Sequence, residues 1–506
     1  MAQTNCFGRF MRSHGTDALI LLSAALASLS TCAYFTAKFV GRVFGEITLS
    51  QIAFNIGTKG GEAAQSVVIR EYLIQILLYS GRTLLAIVAI WFFAVLSTRR
   101  FHLGRLLPPR AFRFCTVTVL LGFVAFHLWS IDRKFSVLEY IQRKDSTFIE
   151  ENYARLLPEK AEHVDGKKRN LIVIFLESVE SGFRNPSVYG ENLIPELEQI
   201  EKEGLALRGY RKTPGGNFTL DGISAQFLGM PLTQLPVDIH DTRKNWLFGG
   251  LLSHSDGIFN LLLKDGYATA SFHGTSREFT HKGLFMERHG MTETFFSEDW
   301  LRLGHPLDDK NSGRWEYNDD FLMERFKEWL SAPREKPFAV FFETVDTHFP
   351  VGFTPTSHRV TGSHQESIKY ASLLTQRFVE WAKTRPWYAD TTIYIAGDHQ
   401  WQDFDNDFTQ FTRKDPERGI YSVFLNPVRT DLKTRPCGFS AMDVAPTILN
   451  AMGVTFSSDD HGKVSHARLG LGRSLFDRGE NLVCRFGAEG LTRRLGQYSA
   501  FYNTLQ

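Results

Sequence analysis

The chain has 506 residues, more than one hydrophobic core usually spans, so more than one structural unit is expected. Its formal net charge is +2 and 43% of its residues are apolar, a near-neutral balance that argues against a nucleic-acid partner. The averages conceal an uneven placement of apolar residues along the chain.

Residues 18–37 carry no charge and, at about 1.5 Å per residue, are long enough as a helix to cross a hydrocarbon layer of roughly 30 Å. Residues 114–131 form a second such run. Between them, TLLAIVAIWFFAVLST (83–98) is slightly short, but the preceding YLIQILLYSG extends it past Arg82, which can snorkel to the interface. Three N-terminal transmembrane helices are expected, at about 18–37, 72–98 and 114–131, in a membrane domain 1–131. TRRFHLGRLLPPRAFR (98–113) holds five arginines and no acid, so the positive-inside rule places it in the cytoplasm, with Arg9 and Arg12 on the same side. The third helix then leads outward, and the chain after Asp132 lies outside. The first apolar run is longer than a signal-peptide core and no small-residue cleavage site follows it, so it reads as an anchor. Cys6 falls inside and Cys32 and Cys115 fall in spans, which leaves Cys437 and Cys484 exported. An oxidising compartment permits these two to pair, but the sequence does not show that they are close.

Residues 132–168 are charged and aromatic, with helical spacing in FSVLEYIQRK and STFIEENYARLL, and read as a helical connector. From Arg169 to residue 506, short apolar runs alternate with amphipathic stretches, the pattern of an α/β domain with a mostly parallel central sheet. The expected strands are NLIVIFLE, GLALRGY, YATASFH, FAVFFETV, TTIYIAGD and YSVFLNP. Their ends carry Glu177, His273, Asp346 with His348, and Asp398 with His399. In open α/β sheets the ligand crevice lies beyond the carboxyl ends of the strands, so these endings predict an ionisable rim.

Glu177, Asp398 and His399 offer a mixed oxygen and nitrogen donor set that suits Mn²⁺, Mg²⁺ or Zn²⁺. Thr219, after two glycines and an asparagine at the mouth of an expected helix, reads either as a helix cap or as a nucleophile. A threonine hydroxyl needs a metal or a base to ionise near neutral pH, and a helix start adds the dipole and free amides that suit a phosphate.

LIVIFLES, PGGNFTLDG, FHG, VDTHFP, AGDH, SAMDVAPTIL and GLGRSL occur in this order over roughly 170–474. In this the chain resembles the alkaline phosphatase and sulfatase superfamily. Within it, the set is similar to the membrane phosphoglycerol transferases that modify periplasmic glucans, relatives of lipoteichoic acid synthases and, more distantly, of lipid A phosphoethanolamine transferases. The resemblance implies that Glu177, Thr219, Asp398 and His399 hold one divalent metal, Mn²⁺ foremost, with Thr219 as nucleophile. It implies that His273 and His348 contact the transferred phosphate or the leaving alcohol. Lys282 stands where lipoteichoic acid synthases place an arginine for the phosphoglycerol head, a point charge in place of a fork. Asp346 is expected either to touch substrate or to support the site, and Trp401 either to flank the head group or to pack a loop. True sulfatases make a formylglycine from Cys or Ser followed by Pro and Arg at fixed offsets; after Thr219 the chain reads LDGIS, which lacks that signal.

The resemblance implies a multi-pass protein of a bacterial inner membrane with its catalytic domain in the periplasm or outside. Its expected reaction moves phosphoglycerol from phosphatidylglycerol to an envelope glycan through a covalent phosphothreonine. The alternatives are a phosphoethanolamine transferase acting on lipid A or another envelope acceptor, a hydrolase, and a non-catalytic lipid-binding protein of the same fold. The acceptor and the oligomeric state are not legible.

Overall fold

The run NLIVIFL is apolar at every position after the first, which requires a strand covered on both faces. In the computed structural model it is Asn170–Leu176 (β1), inside a seven-stranded sheet. The structure describes residues 4–43, 47, 51, 72–74, 76–83, 85, 109–135, 137–142, 145–157, 161–234, 251–308, 312–313, 316–349, 352–354, 359–360, 363–402, 408–416 and 418–506.

The other strands of the sheet are β2 (Leu205–Ala206), β3 (Ala268–Phe272), β4 (Glu293–Phe295), β5 (Phe338–Glu343), β6 (Thr391–Gly397) and β7 (Ser422–Leu425). The spatial order is β2-β7-β6-β1-β5-β3-β4. The pairs from β6 across to β4 are parallel, whereas β7 runs antiparallel to both β6 and β2. Every expected strand is present, and β4 is an addition at the edge.

Alternate residues of β1 serve two cores. Leu171, Val173 and Phe175 face one that holds helices Thr219–Leu228 and Val444–Ala451. Ile172, Ile174 and Leu176 face another that holds Pro195–Glu203, Asp319–Ser331 and His364–Lys383. All six side chains are fully buried, each contributing about 1.5–3 kcal/mol of apolar transfer.

The chain divides into two compact units, Met1–Val43 with Ser66–Ile141 and Phe44–Gln65 with Gln142–Gln506. The smaller contains helices Thr4–Val43 and Pro109–Phe135. Among the described residues one helix, Phe114–Phe135, is long and apolar enough to cross a membrane, with mean hydropathy 1.9. Leu22, Leu29 and Val119 are well exposed on these helices, an apolar surface unsuited to water. The expected second span falls largely outside the described residues.

Two stretches near the expected boundaries bear on the larger unit. Within 44–65, a stretch expected in a membrane domain 1–131, Ile47 and Gln51 are described; both are buried and group with the larger unit. Among its described residues the connector is helical up to Gln142, again at Phe148–Asn152, and in a 3-10 turn at Val164–Gly166. From Ser146 it is bound to the larger unit: the Ser146 amide donates to the Tyr498 carbonyl, and Arg155–Leu156 and Glu162–His163 pair as strands with residues 458–459 and 454–455. Phe148, Ile149, Tyr153 and Leu156 are the physical reason, since all are apolar and bury in the core. Cys437 and Cys484 form a disulfide.

Candidate active site

Glu177 follows the last residue of β1, and Asp398 and His399 follow β6, the parallel neighbour of β1. Adjacent parallel strands in register therefore deliver the three residues to one edge. Their donor atoms lie within 4.8 Å of one another, and all three are buried. His399 Nε2 is 3.4 Å from both Glu177 Oε1 and Asp398 Oδ2. His399 Nδ1 lies 2.7 Å from the Gln400 carbonyl, which can only accept, so that nitrogen carries the proton and Nε2 offers its lone pair to the cluster.

Asp398 Oδ1 accepts the amides of Ser178 and His399 at 2.8 Å each, whereas Oδ2 is buried without a hydrogen-bond partner. Burial, then the charge of Glu177, pushes the Asp398 carboxyl up to about 7. Burial disfavours the charged form of His399, but Asp398 and Glu177 outweigh it and raise its pKa. Two buried carboxylates with one imidazole and an orphaned carboxylate oxygen make a donor set that fits a divalent cation.

Thr219 is the first residue of its helix. Phe218 occupies the cap position, and the Thr219 hydroxyl donates instead to Glu177 Oε2 at 3.2 Å. The hydroxyl thus meets the cluster rather than capping the helix. Gly222 allows the approach: a Cβ there would sit 2.2 Å from the Asp398 carbonyl oxygen, so helix backbone packs directly on the end of β6. Ser178 holds the other side. At φ 57° it adopts a left-handed conformation that donates its amide to Asp398 Oδ1 and its hydroxyl to Glu177 Oε1, the latter at 2.6 Å.

Two other expected residues, His273 and Lys282, form a second cluster around Glu343. His273 is fully buried after β3, stacked on Phe296 with centroids 4.2 Å apart, and its Nδ1 lies 3.3 Å from Glu343 Oε1. Burial pushes the imidazole down, against the pull of Glu343. Lys282, also buried, is ion-paired with the same Glu343 oxygen. Burial alone raises the Glu343 carboxyl, yet Lys282 and His273 bring it down to about 2. The Lys282 charge is therefore engaged inside the protein. Asp346 Oδ2 accepts the Asp319 amide at 2.9 Å, and Asp319 accepts the amides of Val345 and Asp346, a supporting arrangement that ties the loop after β5 to a helix start. His348, half-buried, has Nδ1 on the Phe349 carbonyl at 2.7 Å. Burial pushes its imidazole down to about 4. Trp401 is packed edge-on against His364 and Phe408, with 2% exposure.

Sequence reasoning passed over Ser178, Glu343 and Asp319. Glu343 carried a usable signal, since it ends an otherwise apolar strand just as Glu177 follows one. Ser178 and Asp319 carried none, because their roles arise from a left-handed backbone and a loop contact.

The profile of the family described as Sulfatase matches residues 169–454, more than half of the chain and the whole of this site. The chain belongs to the sulfatase family. This sulfatase-family chain is 25% identical over 390 residues to phosphoglycerol transferase I of Shigella flexneri, an alignment covering 75% of this chain and 47% of that one. It thus spans about half the length of the curated relatives it matches. Among solved structures, the integral membrane protein lipooligosaccharide phosphoethanolamine transferase A from Neisseria meningitidis is 14% identical, with 90% of this chain and 87% of that one covered and a TM-score of 0.48. A protein in the alkaline phosphatase superfamily from Vibrio parahaemolyticus is 19% identical, with 65% and 73% covered and a TM-score of 0.46.

Proposed function

We propose that this chain transfers phosphoglycerol from phosphatidylglycerol to an envelope glycan, with Thr219 as the covalent carrier. The observation that carries the reading is the Thr219 hydroxyl, aimed at Glu177 Oε2 beside Asp398 and His399 at a helix N-terminus. The relatives named phosphoglycerol transferase I support phosphoglycerol as the group transferred. Glu177, Asp398, His399 and Thr219 would hold the divalent ion, Mn²⁺ foremost, which supplies Lewis-acid stabilisation of charge on phosphoryl oxygens when bound.

Thr219 Oγ attacks the phosphorus, its proton already directed at Glu177 Oε2, and the bond from phosphorus to the diacylglycerol oxygen breaks. Diacylglycerol leaves as the alcohol, taking the proton that Thr219 gave up to Glu177, and glycerophosphate stays on Thr219. An acceptor hydroxyl then attacks the same phosphorus, the bond from phosphorus to Thr219 Oγ breaks, and the acceptor's proton ends on Thr219. His348, neutral near pH 7 with its Nδ1 held by the Phe349 carbonyl, is the histidine suited to take the acceptor's proton at Nε2. His273 and Lys282, held through Glu343, would contact the transferred phosphate or the leaving alcohol. The apolar exposed helices support a seat in the bacterial inner membrane with the larger unit outside, where donor lipid and site share one surface.

The test is diacylglycerol release from radiolabelled phosphatidylglycerol by the purified chain with Mn²⁺. The parent is expected to release it and to carry labelled glycerophosphate on Thr219 when no glycan is present. Thr219→Ala is expected to do neither, and release by that variant at the parent's rate overturns the nucleophile assignment. Turnover of phosphatidylethanolamine in place of phosphatidylglycerol would move the chain to the phosphoethanolamine transferases.

A further inference from the structure

The carboxamide of Gln51 brackets the nucleophile. Gln51 is fully buried and belongs to the stretch Phe44–Gln65, which groups with the larger unit although it precedes the family match by more than a hundred residues. Its Nε2 donates to Asp221 Oδ2 at 2.9 Å, and its Oε1 accepts Asn217 Nδ2 at 3.1 Å. Asn217 lies two residues before Thr219 and Asp221 two residues after it. One planar amide therefore ties together both sides of the turn that presents the hydroxyl.

The rest of the network gives that tie its leverage. Asp221, also fully buried, accepts the amides of Gly215 at 2.7 Å, Asn217 at 3.4 Å and Leu232 at 2.9 Å, which folds the loop back over the first turn of the helix. The Asn217 carbonyl accepts Gln402 Nε2 at 2.8 Å, which connects the same loop to the segment following His399. A buried group that both donates and accepts is what this place requires. A hydrocarbon would leave the Asn217 amide and an Asp221 oxygen short of partners, and a carboxylate would set like charges together.

We propose that Gln51, which precedes the matched family region, is a positioning residue for Thr219. The inference rests on the phosphoglycerol-transfer reading for its kinetic readout, but not for its structural one. It also requires residue 51 and the catalytic unit to lie on the same side of the bilayer, as the charge pattern of the loops predicts.

The experiment uses the full-length protein in detergent with Gln51→Met, which keeps the length of the side chain and removes both hydrogen bonds, and with Ile47→Ala, which trims a buried side chain of the same stretch. Hydrogen–deuterium exchange over residues 213–222 needs no substrate and is expected to quicken in Gln51→Met. On phosphatidylglycerol, kcat is expected to fall on the order of ten-fold or more with KM little changed, because misplacing a reacting group by about 1 Å can cost up to 10²-fold. Ile47→Ala is expected to lower Tm and leave kcat unchanged. Unaltered exchange and kcat in Gln51→Met overturn the proposal; so does an equal fall of kcat in Ile47→Ala, which would assign the effect to packing. Should the parent turn over phosphatidylethanolamine instead, the functional reading fails, and Gln51 is then judged by exchange and by kcat on that donor.

Discussion

Glu343 shows how much a single buried charge decides. It is the counter-charge for Lys282 and lies against His273, all three almost wholly out of water. Removing one partner of such a pair leaves the other uncompensated, so Glu343→Gln is expected to destabilise by about 3–5 kcal/mol near pH 7, read as a clear fall in Tm. The double variant Lys282→Met with Glu343→Leu is expected to recover most of that loss. The pH dependence has a definite sign. The folded pKa of Glu343, about 2, lies below its ordinary 4.5, so its contribution is complete above about pH 4.5 and declines as pH falls toward 2. In Glu343→Gln this part of the acid limb is expected to disappear from a Tm-versus-pH profile.

At the scale of the element, the helix Thr219–Leu228 is held to the sheet edge by closeness of backbone. Gly222 faces the Asp398 carbonyl, with no room for a methyl group. Gly222→Ala is expected to push the first helical turn off the end of β6 at a cost of about 1–3 kcal/mol, as overpacking usually does. Activity is expected to fall by far more than the change in stability implies, since the Thr219 to Glu177 contact lies on that same turn. Rate and Tm measured side by side test this, and full activity with a lowered Tm would show that the turn has room to adjust.

At the scale of the whole molecule, the proposed reaction together with the exposed apolar helices predicts that the chain would meet a lipid donor in two dimensions. In mixed micelles, the rate of diacylglycerol release is expected to follow the mole fraction of phosphatidylglycerol at fixed bulk concentration. A rate set by bulk concentration alone would argue against a membrane-seated site. The grouping of Phe44–Gln65 with Gln142–Gln506 adds that the larger unit is not one continuous stretch of chain, so cutting the protein after its last apolar segment removes the hydrogen bonds of Gln51 to Asp221 and Asn217.

Much of this was legible in the linear chain. Apolar runs ending in Glu177, His273 and Asp398 named the strands and the rim, because a strand covered on both faces must be apolar until it leaves the sheet. What the chain order left open was resolved by packing: whether Thr219 capped its helix or met Glu177, which charge Lys282 answered, and whether Trp401 faced a crevice or a core. Gln51 left no trace at all, since a glutamine between two apolar segments resembles any surface residue. A local pattern records which side chains must avoid water, whereas a hydrogen bond across 166 or 170 residues exists only once the chain has folded and closed the distance.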